Sequence, residues 1–241
     1  MSKIYYEFQL ENGESVEFEV DPEKALQEPG PEARHENWTK LGFHQCPNCP
    51  LSIRNCKFCP AAVDIEALVE KFQDVLSHQK AIVKVTTRER TYLKECDVQT
   101  GLKSLLGLIL ASGHCPVLSQ LKPMAFYHLP FATIQETLYR VVGAYMVKQY
   151  FRKKEGEDTD LELKGLKAFY EELQAVNTHF MSRLQNAFKG DANLNALNVL
   201  FSLSVIVSMS LKDELEEMKP FFEGGLNILK KEDCLSAVFS K

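Results

Sequence analysis

Four of the seven cysteines fall between positions 46 and 59, in the stretch FHQCPNCPLSIRNCKFCPAA. Cys46 and Cys49 form one C-x-x-C pair, and Cys56 and Cys59 form another. One tight turn can aim two sulfurs at this spacing toward a common point, and its backbone N–H groups can bond the thiolates. Two pairs make a complete set of four sulfur ligands, with His44 as a substitute ligand. The competing interpretation is a set of free, partly buried thiols or a redox disulfide. Four cysteines precede a proline: Cys46, Cys49, Cys59 and Cys115, whereas Cys56, Cys96 and Cys234 do not. Proline fixes its own φ and removes an N–H, so Cys-Pro makes a rigid turn. Cys115 stands in SGHCP at the end of an apolar segment. If it closes the set with Cys46, Cys49 and Cys59, the site staples an N-terminal part to a helical part. The local alternative uses Cys56.

A four-sulfur site indicates zinc or iron–sulfur. Structural Zn2+ is the commoner outcome and leads here. Two details pull against a simple zinc knuckle. Pro50 stands where a small residue normally follows the second cysteine, and only six residues, 50–55, separate the pairs, against roughly 15–20 in the usual four-cysteine pattern. C-x-x-C followed by a remote Cys-Pro also suits an iron–sulfur cluster.

Composition narrows the class. With 45% apolar and 25% charged residues, the 241-residue chain has the balance of a folded globular protein and not of a disordered or fibrous one. A net charge of −5 argues against a nucleic-acid partner. The N-terminus lacks the pattern of a secretory signal. The most apolar run, Val199–Leu211, spans 13 residues, short of the roughly 20 that cross a bilayer. We read it as a buried core helix, expect no membrane partner, and place the chain in the cytoplasm, where thiols stay reduced.

The organisation is α+β. Residues 3–20 alternate around Asn12-Gly13, a hairpin signal. Ala81–Cys96 alternates around a turn at Thr87–Arg90 and predicts a second hairpin. The two can join in one antiparallel sheet, with a helix from Asp64 to about Gln79 covering a face. Val98–Ser112 reads as a central helix ending at Gly113. Thr133 opens a helix to about Lys154, Leu161–Lys189 is amphipathic, and Lys212–Lys241 is a helical pattern broken by Pro220 and Gly224-Gly225. We therefore divide the chain into a sheet-bearing part with the Cys-rich loop, 1–97, and a helical part, 98–241, as two parts or one continuous domain.

HQCPNCPL, CPAA, LKSLLGLILASGHCP, KPMAFYHLPF and ETLYR together resemble a family of uncharacterised bacterial proteins known as a domain of unknown function. The resemblance runs from the first hairpin to about Asn198. It implies that the Cys-Pro elements recur and that Cys56 is not part of the pattern, which favours the set with Cys115. It brings no activity.

Other residues carry weaker signals. His128, in KPMAFYHLPF, is a candidate acid/base, ligand or partner of Glu136, and more simply a structural hydrogen bonder. Glu136, Tyr139 and Arg140 share a helix face, either a pocket wall or an ion pair. His114 adjoins Cys115 and is placed to ligate or orient it. Tyr170, Glu171, Asn177 and His179 lack the spacing of di-iron bundles. Arg88–Arg90 read as an exposed turn, and Cys96 and Cys234 as small core residues. Asn193, Asn195 and Asn198 receive no chemistry. The expected function is metal binding, structural or sensory, acting on a protein or small-molecule partner. The alternative is an iron–sulfur redox enzyme or electron carrier, so whether the chain is an enzyme stays open.

Overall fold

The computed structural model describes residues 3–23, 34–187 and 191–230. Both expected hairpins form. β1 (Ile4–Leu10) pairs with β2 (Ser15–Val20) across a turn in which Gly13 adopts φ 86°, a left-handed conformation that glycine enters without Cβ strain. β3 (Lys80–Thr86) pairs with β4 (Thr91–Asp97), and Thr87 closes that turn through its N–H to the Arg90 carbonyl at 2.9 Å. β1 and β3 then pair antiparallel, giving one four-stranded sheet of order β2-β1-β3-β4. Alternation puts Tyr6, Phe8 and Leu10 on the same face as their partners Val85, Val83 and Ala81, and all six are buried.

Two helices cover that face. α1 (Pro60–Lys71) starts at Cys59 and not at Asp64, because Pro60 occupies the first helical position and needs no N–H partner there. It also stops eight residues short of Gln79. Phe72 ends it and packs edge-on against Phe8, with ring centroids 5.1 Å apart. α2 (Val98–Ser112) has the expected bounds, with Asp97 accepting from Thr100 N–H at its start. A Cβ built on Gly101 would stand 2.6 Å from Phe8 Cε1 and 2.9 Å from Val83 Cγ2, so glycine lets α2 approach the sheet. Gly101→Ala should cost about 1–3 kcal/mol through overpacking, measured as a lower denaturation midpoint; an unchanged midpoint would show that Phe8 yields freely.

The helical part follows. α3 (Lys122–Phe126) is short, and α4 (Ile134–Lys154) opens with a reciprocal capping box between Thr133 and Glu136. α5 (Lys164–Ala187) and α6 (Asp191–Lys230) pack on each other. Two expectations for α6 are corrected. It runs unbroken through Pro220, and it is amphipathic: Ala196, Leu197, Val207 and Leu211 are buried, but Met209 is 78% exposed and Val205 faces out as well. Asn193 donates to the Val69 carbonyl (3.1 Å) and Asn195 to Ser77 Oγ (3.0 Å), so these asparagines tie α6 to the sheet-bearing part. A single cluster of buried apolar side chains runs from β1 to α6. No helix among the described residues is long and apolar enough to cross a membrane.

Candidate metal centre

The four cysteines that precede a proline meet. Cys46, Cys49, Cys59 and Cys115 line one apolar cavity of about 20 Å³, walled by Leu41, Val117, Val176 and Phe180 and bordered by Arg183. Cys56 is not among the lining residues, and its thiol donates instead to the Phe58 carbonyl at 3.0 Å. His44 is exposed, in a left-handed conformation (φ 49°), and does not line the cavity either. Cys96 sits on β4, and Cys234 lies outside the described residues.

Each sulfur is positioned by its own proline turn. Cys49 N–H donates to the Cys46 carbonyl (3.1 Å), which folds the first pair into a single turn. Cys59 is the N-cap of α1, held by its N–H to the Thr39 carbonyl (2.7 Å). After Pro60, the amides of Ala61 and Ala62 favour the Cys59 thiolate, and the Ala62 N–H donates to the Cys59 carbonyl at 3.0 Å. After Pro116, the amides of Val117 and Leu118 favour the Cys115 thiolate in the same way. The two remote Cys-Pro units thus repeat one arrangement, in which proline takes the silent position and the next two amides favour the thiolate.

Electrostatics act as one set. Burial, followed by the proximity of Cys59, Cys115 and Cys49, pushes the Cys46 thiol up to about 12, and the nearby Arg183 only partly offsets this. Burial also raises Cys59 and Cys115 against the pull of their amides. Without a bound metal, Cys46, Cys59 and Cys115 are protonated thiols, since clustered buried thiolates repel. Among the described residues, no three His, Cys, Asp or Glu side chains already form a metal cage. The sulfurs surround the cavity, and binding an ion requires them to turn onto a common centre.

Arg183 is the residue that motif reading misses. It is 1% exposed, and its Nη1 donates to the carbonyls of Trp38 and Lys40 and its Nη2 to that of Leu41. Among the described residues it pairs with no carboxylate, and the acidic groups that act on it are the thiols of Cys59, Cys46 and Cys49. A buried cation needs a counter-charge. The available signal was its place on the apolar stripe of α5, in register with Val176 and Phe180, where a charged side chain has no reason to be unless it is paired. Asn48 adds a second tie to α5, donating to the Glu172 carbonyl at 3.1 Å.

His114 orients the site without lining it. Asp64 accepts from the His114 N–H at 3.1 Å, and its other oxygen lies 3.4 Å from Nδ1. A Cβ on Gly113 would collide with that same Asp64 carboxylate. Gly113→Ala should therefore displace the Cys115 turn and lower metal retention, whereas Gly101→Ala affects stability alone. Parallel metal assays of the two variants check this, and equal retention would count against the link.

The remaining candidates separate. Glu136 is used by the capping box, and Tyr139, 57% exposed, stacks on Phe222. Arg140 donates from Nη2 to the carbonyls of Met124 (2.7 Å) and Tyr127 (2.6 Å), closing the end of α3. The shared face of Glu136, Tyr139 and Arg140 therefore forms no common site. His128 Nε2 lies 2.6 Å from Tyr6 Oη, which contacts Ser104 Oγ at 2.8 Å; Ser104 Oγ accepts from Phe131 N–H. Burial, reinforced by Arg140, pushes His128 down to about 3, so the ring is neutral in the folded protein. The unfolded chain takes up that proton below its ordinary value near 6.5, so stability falls as pH drops from 6.5 toward 3. His128→Gln should flatten this part of a stability–pH profile relative to wild type, and identical slopes would refute the assignment.

A search among curated proteins and another among solved structures found no match. A family model described as a domain of unknown function, DUF6901, matches residues 4–223, which include both hairpins and all four converging cysteines. The chain belongs to that family.

Proposed function

We propose that this chain is a cytoplasmic metal-binding protein in which Cys46, Cys49, Cys59 and Cys115 hold one Zn2+. The role is structural or sensory, exerted by binding a protein or small-molecule partner. One observation carries this reading: every cysteine that precedes a proline lines the same cavity, beside a buried arginine with no carboxylate partner among the described residues. Four thiolates around a divalent cation leave two negative charges, and Arg183 offsets one of them. A cavity of about 20 Å³ suits a single ion. When bound, the ion closes the linkage between the loop at 46–59, the turn after α2 and, through Arg183, α5.

Purification without a metal-binding tag, followed by elemental analysis and melting with and without chelator, tests this. About one zinc per chain is expected. Its removal should lower Tm by at least about 10 °C, since each kcal/mol moves a domain of this size by roughly 2–4 °C. Metal-free protein with an unchanged Tm would overturn the proposal.

A second reading is an iron–sulfur redox protein. It is favoured by the amides of Ala61, Ala62, Val117 and Leu118, which favour the Cys59 and Cys115 thiolates, because amides near cluster sulfurs tune the potential. Brown protein with stoichiometric iron and sulfide would select it over zinc.

A further inference from the structure

A larger cavity, of about 160 Å³, lies between α2, α4, α5 and α6. It shares two walls with the cysteine site. Val117 and Val176 face the sulfurs, and their neighbours Leu118 and Asn177 face this cavity. Its body is apolar, formed by Leu110, Ala111, Val141, Leu173 and Phe201. That volume is close to the roughly 150 Å³ of an apolar cavity able to hold benzene.

The polar groups at its edge are one-sided. Lys103 and Arg140 line it, and no Asp or Glu does. Among the described residues neither cation is in ion-pair contact with a carboxylate, although Asp97 acts on Lys103 and Glu136 on Arg140 at longer range. Arg140 uses only Nη2 on carbonyls, which leaves Nε and Nη1 without protein acceptors there. Tyr170 is 6% exposed and lines the cavity, yet its hydroxyl has no hydrogen-bond partner among the described residues. That oxygen is not sealed off from solvent, so it is free to donate to a molecule in the cavity. An apolar chamber edged by two cations with no carboxylate in contact, and by a hydroxyl without a partner, offers donors to an anion and no acceptor of that charge.

We propose that this cavity binds a small amphipathic monocarboxylate, with a body the size of a benzene ring or a short acyl chain. The apolar part fills the chamber. The carboxylate accepts from Arg140 and Lys103, a charge-assisted arrangement that guanidinium serves well, and Tyr170 supplies a neutral donor. This site does not depend on which metal the cysteines hold.

Calorimetric titration of the metal-loaded protein with octanoate tests the inference, with octan-1-ol and octylamine as controls of the same chain length. Octanoate should saturate one site at least about tenfold more tightly than octan-1-ol, the effect of one charge-assisted hydrogen bond, and octylamine should not saturate. Lys103→Gln should weaken octanoate by about tenfold and leave octan-1-ol unchanged. Ala111→Phe should abolish binding by filling the chamber, with metal content retained. If that variant does not fold, Lys103→Gln and Tyr170→Phe carry the test. Equal binding of octanoate and octan-1-ol, unchanged octanoate affinity in Lys103→Gln, or no octanoate binding would each overturn the proposal.

Discussion

Serine at Cys59 or Cys115 is expected to release the metal and lower Tm by about 10–20 °C, whereas Cys56→Ser leaves both unchanged. The contrast follows from position. Cys56 is in the same 46–59 cluster, but its thiol is turned to the Phe58 carbonyl and does not line the cavity. Cys115, 56 residues beyond Cys59, does line it. Serine keeps the size of the side chain approximately and removes the soft ligand, so the loss reports coordination more than packing. Cys59→Ser retains an N-cap competent residue, which makes a large loss there difficult to attribute to the helix start. Melting curves and metal content of the three variants decide the matter. A Cys56→Ser variant that loses metal, or a Cys115→Ser variant that keeps it, would point to the local set.

Arg183→Leu should destabilise by about 3–5 kcal/mol, the range for breaking a buried charged arrangement. The change leaves three carbonyls, those of Trp38, Lys40 and Leu41, without their donor, each at roughly 1–3 kcal/mol if water does not replace it. It also removes the cation that opposes the thiolates. Arg183→Lys should restore little, because an ammonium cannot reach three carbonyls with the geometry of a fork. Chemical denaturation measures the loss, and metal affinity measured alongside should fall in both variants. A lysine variant of wild-type stability would mean that charge alone matters and the fork does not.

The sheet and most helices were legible because local rules decide them. Asn12-Gly13 between alternating runs and the helix start at Thr133 each need only a few neighbouring residues, while the role of Glu136 in the cap shows only in the structure. The start of α1 is less legible because two signals compete: Asp64 can cap a helix, but Pro60 after Cys59 prevails, and Asp64 holds the His114 N–H instead. α6 appeared more buried than it is because its apolar run includes Met209 and Val205, which face out. The cysteine partners could be guessed from the Cys-Pro repeat, but the choice between Cys56 and Cys115 depends on tertiary proximity that spacing does not encode. Arg183 and the unpaired hydroxyl of Tyr170 were invisible for the same reason. Each is an ordinary residue in an amphipathic helix until the surrounding carbonyls and cavity walls are known.

X-ray absorption at the edge of the bound metal, on protein purified without added metal, tests the central claim most directly. Four sulfur scatterers at about 2.3 Å are expected in the wild type, with one fewer in any metal that Cys115→Ser retains. A shell dominated by nitrogen or oxygen, or four sulfurs still present in Cys115→Ser, would contradict it.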